Sequence, residues 1–279
     1  MTAEQWARTV RHHLGLGRLL PLGGPGDGAW ISEEAATAVL RVAARGLVGV
    51  RLGTVRIGLA HPGDAHESVV PAPPSALRPG PLRLTAEFEA TPAEPLPVTA
   101  ELLRTALAGA AAESLGLDLG EVDLRVTALL DETAPLDETA PLDEAALLDE
   151  TALLDKAALL DEAAEPSSVR PEVRPEPSLV GQPAAPRPAE TAPGDETLAA
   201  DAALAVPGVS MLTGLLGRPV HIGDRDTGEG ALPRRHVRVE LAVGAGRRAV
   251  DVAREVRAAV GTALPDHPTV AVLVTAVGG

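Results

Sequence analysis

At 279 residues the chain has room for two small domains of roughly 80 to 120 residues with a further stretch between them. It has no cysteine, which excludes disulfides, thiolate metal sites and cysteine nucleophiles. The N-terminus, MTAEQWARTVRHHLGLGRLL, lacks the apolar core of a signal peptide, and no run of about 18 uncharged apolar residues predicts a membrane span. The formal charge of -15 is unevenly placed: residues 130–198 carry 17 acidic and 4 basic side chains, whereas residues 1–129 carry 14 and 11 and residues 199–279 carry 8 and 9. The acidity belongs to the middle of the chain, where it extends and solubilises, and says little about the folded surfaces.

In chain order, Trp6, Val10 and Leu14 stand at helical spacing before the glycine-rich PLGGPGDG, so residues 1–29 read as a helix and a flexible turn. Ser32 is placed to cap a helix over EEAATAVLRVAARG, with Glu33 and Glu34 in its first turn, where negative charge suits the helix dipole. GVRLGTVRIGLA reads as a strand and Pro71 to Pro81 as a loop. Leu82, Leu84, Ala86 and Phe88 then alternate with Arg83, Thr85, Glu87 and Glu89, the pattern of a half-exposed strand. A helix with Leu103, Leu107, Ala110 and Ser114 on one face follows, then a strand in which Val122, Leu124, Val126 and Ala128 alternate.

The C-terminal part repeats this order. A helix over ETLAADAALAV ends at Pro207-Gly208, RPVHI is a short strand, and Val237, Val239, Leu241 and Val243 alternate. AVDVAREVRAAVGTAL is helical, and TVAVLVTAV is apolar on both faces, as for an inner strand covered on both sides. The closing strands align at an offset of 148, which places Val126, Thr127 and Ala128 against Val274, Thr275 and Ala276. Each copy, residues 30–129 and residues 196–279, is predicted to be a small α+β module of helices on one sheet in the order α-β-β-α-β.

Residues 130–195 form the expected linker. Six copies of an LDETAP-like hexapeptide run from Leu130 to Glu165. Six residues advance a helix by about 600 degrees, so the leucines make no continuous seam, and the repeat is too poor in β-branched residues for a β-helix. The proline-free part, Leu142 to Ala164, reads either as an exposed helix or as disordered, and the proline-rich tract after it as extended.

Several motifs invite a chemical reading. Gly244-Ala-Gly246-Arg-Arg-Ala249 fits a dinucleotide-binding loop, but that fold needs further βαβ units and an acidic residue closing its second strand, so the glycines read as a tight connection. Gly214-Leu-Leu-Gly217 resembles the GxxG loop of KH domains but precedes a strand rather than a helix. Asp224, Asp226, Gly228 and Glu229 lack the spacing of a calcium loop, and the scattered histidines lack zinc spacing. Arg234, Arg235, Arg238, Arg247 and Arg248 form a basic cluster in sequence and are the candidate anion or partner contacts. Phosphate or nucleic acid binding through them is the alternative to a protein-binding role.

ALAVPGVSMLTG, HVRVELAVGAG, AVDVAREVRAAVGTAL and TVAVLVTAV resemble the alkaline shock protein family of Gram-positive envelope stress-response proteins, over most of residues 196–277. The resemblance is fainter over residues 30–129, where Leu47-Val-Gly-Val50 stands in for the VPGV turn. The aromatic usual in the family's strand-to-helix loop is replaced by Gly244-Ala-Gly246. The N-terminus also resembles actinomycete chains that carry a nucleopolyhedrovirus fibrillar-protein label, although the period of the central repeat does not support a filament. The resemblance implies a non-enzymatic scaffold without cofactor or metal. It implies a cytoplasmic protein, held at the inner face of the cell membrane by a small membrane anchor protein and capable of self-association.

Overall fold

The alternation and helical spacing of the sequence reappear as elements in the same order. They are β1 (Leu19–Leu22), β2 (Ala29–Ser32), α1 (Glu33–Arg45), β3 (Val50–Leu59), β4 (Leu82–Ala90), α2 (Leu96–Gly109) and β5 (Leu119–Leu129), then α3 (Pro193–Leu204), β6 (Val209–Leu212), β7 (Val220–Arg225), β8 (Arg234–Val243), α4 (Ala249–Ala263) and β9 (Thr269–Val277). The computed structural model describes residues 17–130, 193–225 and 234–278. The helix expected around Trp6 and the hexapeptide repeat after Leu130 lie outside the described residues. The fold is α+β. Helices pack on one face of two sheets, with strand order β1-β2-β9-β8-β6 and β7 also on β8 in the larger, and β3-β4-β5 in the smaller.

The order α-β-β-α-β holds from α1 to β5. In the second repeat the first strand is broken into β6 and β7, which pair with β8 in succession, so one short strand, Val209–Leu212, is added to the expected set. The repeats agree in connection and in detail. β3 and β4 are antiparallel and β4 and β5 parallel, as are β7 with β8 and β8 with β9. Phe88 pairs with Val126 and Leu241 with Val274, and immediately afterwards each register slips at the threonine. Thr127 Oγ1 donates to Phe88 O at 3.3 Å and Thr275 Oγ1 to Leu241 O at 3.2 Å. Val126-Thr127-Ala128 and Val274-Thr275-Ala276 therefore mark the same β-bulge, a feature that bends a strand and raises its twist.

Both repeats contribute to one apolar core, which includes Leu40, Leu84, Phe88, Leu103 and Leu107 of the first and Val239, Leu241, Val256, Val260 and Val272 of the second. The sequence predicts a helix and a turn over residues 1–29. Within the described part of that stretch, Leu19–Leu22 is instead a strand, paired antiparallel with Ala29–Ser32 around the glycine turn. β2 then runs parallel to β9, with Ala29 opposite Val272 and Ile31 opposite Val274. On the other face of that sheet Trp30, Leu19, Val70, Ala271 and Leu273 form a second, smaller cluster.

The hairpin turn is tied to α4. Arg254 holds Asp27 through two hydrogen bonds of 2.8 and 2.9 Å, and Arg257 donates to Gly26 O. The hydrogen bond from Arg254 holds the Asp27 carboxyl below the ordinary carboxylate range; burial opposes it, and the Gly24 N–H adds to it. A depressed folded value means that this stabilisation is complete above about pH 4 and is lost as pH falls through the folded value. Asp27→Asn is expected to cost up to about 1 kcal/mol at pH 7, modest because Arg254 is half exposed, and to converge on the wild type as the pH falls through the folded value of Asp27. Urea unfolding at pH 7 and along an acid series checks this.

Candidate functional site

α1 starts where the Ser32 hydroxyl accepts from Ala35 N at 3.2 Å, capping the helix as the sequence predicts, and donates to Thr275 O at 3.4 Å. That second bond sets the helix beside the bulged end of β9. Its exposed side faces the loop between β8 and α4, and the two walls enclose an open groove of about 420 Å³. Ala38, Val39 and Val42 form one wall, and Ala245, Gly246, Arg247 and Arg248 the other. Val42 is 64% exposed, an apolar side chain standing in water beside this space. Glu113 and Ser114 close one side and Val277 and Gly278 the floor.

The groove keeps its shape through two backbone bonds where the loop leaves β8. Gly244 N donates to Gly208 O at 2.8 Å and Gly278 N to Val243 O at 2.9 Å. Gly246 has φ +84, a left-handed conformation that glycine adopts without the cost of a Cβ. The end of α2 supplies the third fixing point, because its last turn, Ala110–Leu115, widens to a π-helix. Gly116 N therefore bonds Ala111 O at 2.8 Å instead of Ala112 O. The freed Ala112 carbonyl accepts from Arg248 Nε at 2.8 Å, which locks the loop onto the first repeat.

The candidate arginines are not brought together. Arg235 lies near one end of β8 and is held by Asp195 at 2.7 Å and Asp266 at 3.1 Å. Arg247 and Arg248 follow the other end, roughly 25 Å along the strand. Arg247 pairs with Glu255 at 2.5 Å. Arg238 projects to the opposite face from the helices and stands 3.3 Å from Glu240, while the side chain of Arg234 lies outside the described residues. Three of the five are thus matched with carboxylates, and only Arg247 and Arg248 border the groove.

Glu240 is fully buried, and sequence reasoning passed over it although it interrupts the apolar run VRVELAV. Its Oε2 accepts from Leu216 N at 2.9 Å, and its backbone bonds Thr213 N and Pro219 O, so it pins the loop between β6 and β7. Burial raises its carboxyl above the ordinary range, with the Leu216 N–H and Arg238 pulling the other way. That cost is present above the folded value and is relieved as pH falls, opposite in sign to Asp27. Gly214-Leu-Leu-Gly217 forms the turn of this loop and joins two strands, not the two helices of a KH domain.

In the sequence Val42 is one apolar residue among several in EEAATAVLRVAARG, and nothing local marks Glu113 or Ser114 as its neighbours. Among the described residues no group of three or more His, Asp or Glu could hold a metal ion, and no helix is long and apolar enough to cross a membrane. No protein-family model, curated protein or solved structure matches this chain.

Proposed function

We propose that the chain is a non-enzymatic binding or scaffold protein of the envelope stress response, acting through protein contacts near the membrane. The observation that carries this reading is the groove between α1 and the loop Gly244–Arg248, with Val42 exposed at its edge. The loop occupies the strand-to-helix position where the alkaline shock family, which this chain resembles, usually carries an aromatic residue. Here the loop bears glycine in place of an aromatic side chain, which leaves a recess that an apolar side chain of the partner can fill. A small membrane anchor protein is the partner this reading names, and it would hold the chain at the inner face of the cell membrane without a span of its own.

Val42→Lys tests the groove. An exposed lysine in the second half of a helix should change stability by less than about 0.5 kcal/mol. Affinity capture from native lysate with the full chain should enrich a small membrane protein, and the variant should lose it. Enrichment instead of nucleic-acid machinery that disappears with nuclease or salt would overturn the reading in favour of the arginines.

A further inference from the structure

The two repeats present the same strand edge, and among the described residues only one of the two is covered. Val270, Val272 and Val274 of β9 are at most 2% exposed, within the core that the helices cover, and the β1–β2 hairpin lies along their edge. At the same bulge-defined positions, 148 residues earlier, β5 carries Val122, Leu124 and Val126. No described strand pairs with the outer edge of β5, Val122 and Leu124 are half-buried, and Val126 is 37% exposed. Among the described residues the first repeat has the seat of a strand without the strand.

We infer that the outer edge of β5 accepts an extended segment of a partner protein, added parallel to it as β2 is added to β9. The filled edge states what the segment must look like. Gly28 O accepts from Val272 N at 3.0 Å, and the matching donor on the open edge is the N–H of Leu124. Ala29 and Ile31 face Val272 and Val274, so the segment places a small and then a branched apolar residue opposite Leu124 and Val126. Between them Trp30 faces Leu273. The matching residue in β5 is Arg125, on the face where Arg83 pairs with Glu121 and Asp123 and Arg125 itself with Glu87. The middle residue is therefore acidic or polar.

The flanking helix adds charge selection. Counting from the same register, Arg254 and Arg257 of α4 correspond to Glu101 and Arg104 of α2, 153 residues earlier, as Leu241 corresponds to Phe88. Arg254 holds Asp27, two residues before Ala29; Glu101 in its place calls for a basic residue at that point of the segment. Arg257 takes the carbonyl of Gly26, and Arg104 can take the equivalent one. In the present structure Arg104 rests against Glu101 and the Val122 carbonyl. It must swing off that edge for the strand to enter. A second copy pairing β5 with β5 about a two-fold axis would run antiparallel, so the parallel seat favours a different chain.

The test uses the full chain and the labelled peptide Pro-Gly-Lys-Gly-Ala-Glu-Ile-Ser, with Asp in place of Lys as its control, in fluorescence anisotropy. The lysine peptide should bind roughly threefold to tenfold tighter than the aspartate peptide. Glu101→Lys, an exposed helix change, should invert that order, and Val126→Lys should abolish binding of both while the melting curve stays intact. Failure of both peptides to bind, or a preference that Glu101→Lys leaves in place, would overturn the inference. So would a wild-type dimer in sedimentation velocity that Val126→Lys dissociates, because the edge would then belong to a second copy.

Discussion

Gly116→Ala is expected to lower the unfolding free energy by about 3 kcal/mol, which for a folded unit of this size corresponds to a melting point roughly 6 to 12 °C lower. Two costs combine. Gly116 has φ +88, and an alanine held there pays about 1 to 2 kcal/mol for its Cβ. That Cβ would also sit 2.6 Å from the Cβ of Val250 and 3.3 Å from Arg248 Nε, closer than packed side chains allow. Val250 is 1% exposed and cannot turn aside, so overpacking adds about 1 to 3 kcal/mol. The reduced freedom of the unfolded chain returns less than about 1 kcal/mol. Gly116 is also where three segments meet, since its carbonyl accepts from Gly23 N at 3.2 Å at the hairpin turn. A double substitution with Val250→Ala should recover part of the loss, measured as a coupling of about 1 kcal/mol in urea unfolding.

Trp30→Ala should cost about 3 to 5 kcal/mol, the range for emptying a buried indole site. Trp30 is 1% exposed, lies on the far face of the larger sheet against Leu273 and Leu19, and donates from Nε1 to Leu77 O at 3.4 Å. Its consequence reaches beyond its own neighbours. β2 belongs by sequence to the first repeat and by pairing to the sheet of the second, and the apolar core takes side chains from both. The variant should therefore shift a single cooperative transition, seen alike by far-ultraviolet circular dichroism and by calorimetry. Two transitions, only one of them moved, would mean that the repeats fold independently. A protease site engineered between residues 131 and 192 supplies the complementary measurement: the two halves of the cut chain should co-elute in size exclusion until denaturant is added.

Much of this architecture was legible because it is local. The period-two pattern of Leu82 to Phe88 became β4 with its alternating burial, and the Ser32 cap formed as expected. The matched Val-Thr-Ala triplets turned out to be a shared bulge, because a threonine that bonds the neighbouring strand's carbonyl recreates the same slip wherever the surrounding pattern recurs. The β1–β2 hairpin was not legible. LLPL and AWIS are four residues each, too short to show a period, and the strand that receives them lies some 240 residues later in the chain. The arginines misled for the opposite reason. Closeness in sequence suggested a cluster, but an extended strand carries Arg235 and Arg247 far apart and points Arg235 and Arg238 to opposite faces.

The order of elements, the apolar faces, the helix cap and the repetition of one module follow from the amino-acid sequence alone, because each depends on spacing within a single segment. Tertiary structure decided that β2 would cover β9 while the matching edge of β5 stays open among the described residues. It also decided that Val42 would stand beside Gly246, and that Glu240 would be buried under a loop. Those outcomes rest on which separate surfaces exclude water together, and burial between different segments of the chain leaves no period in either one.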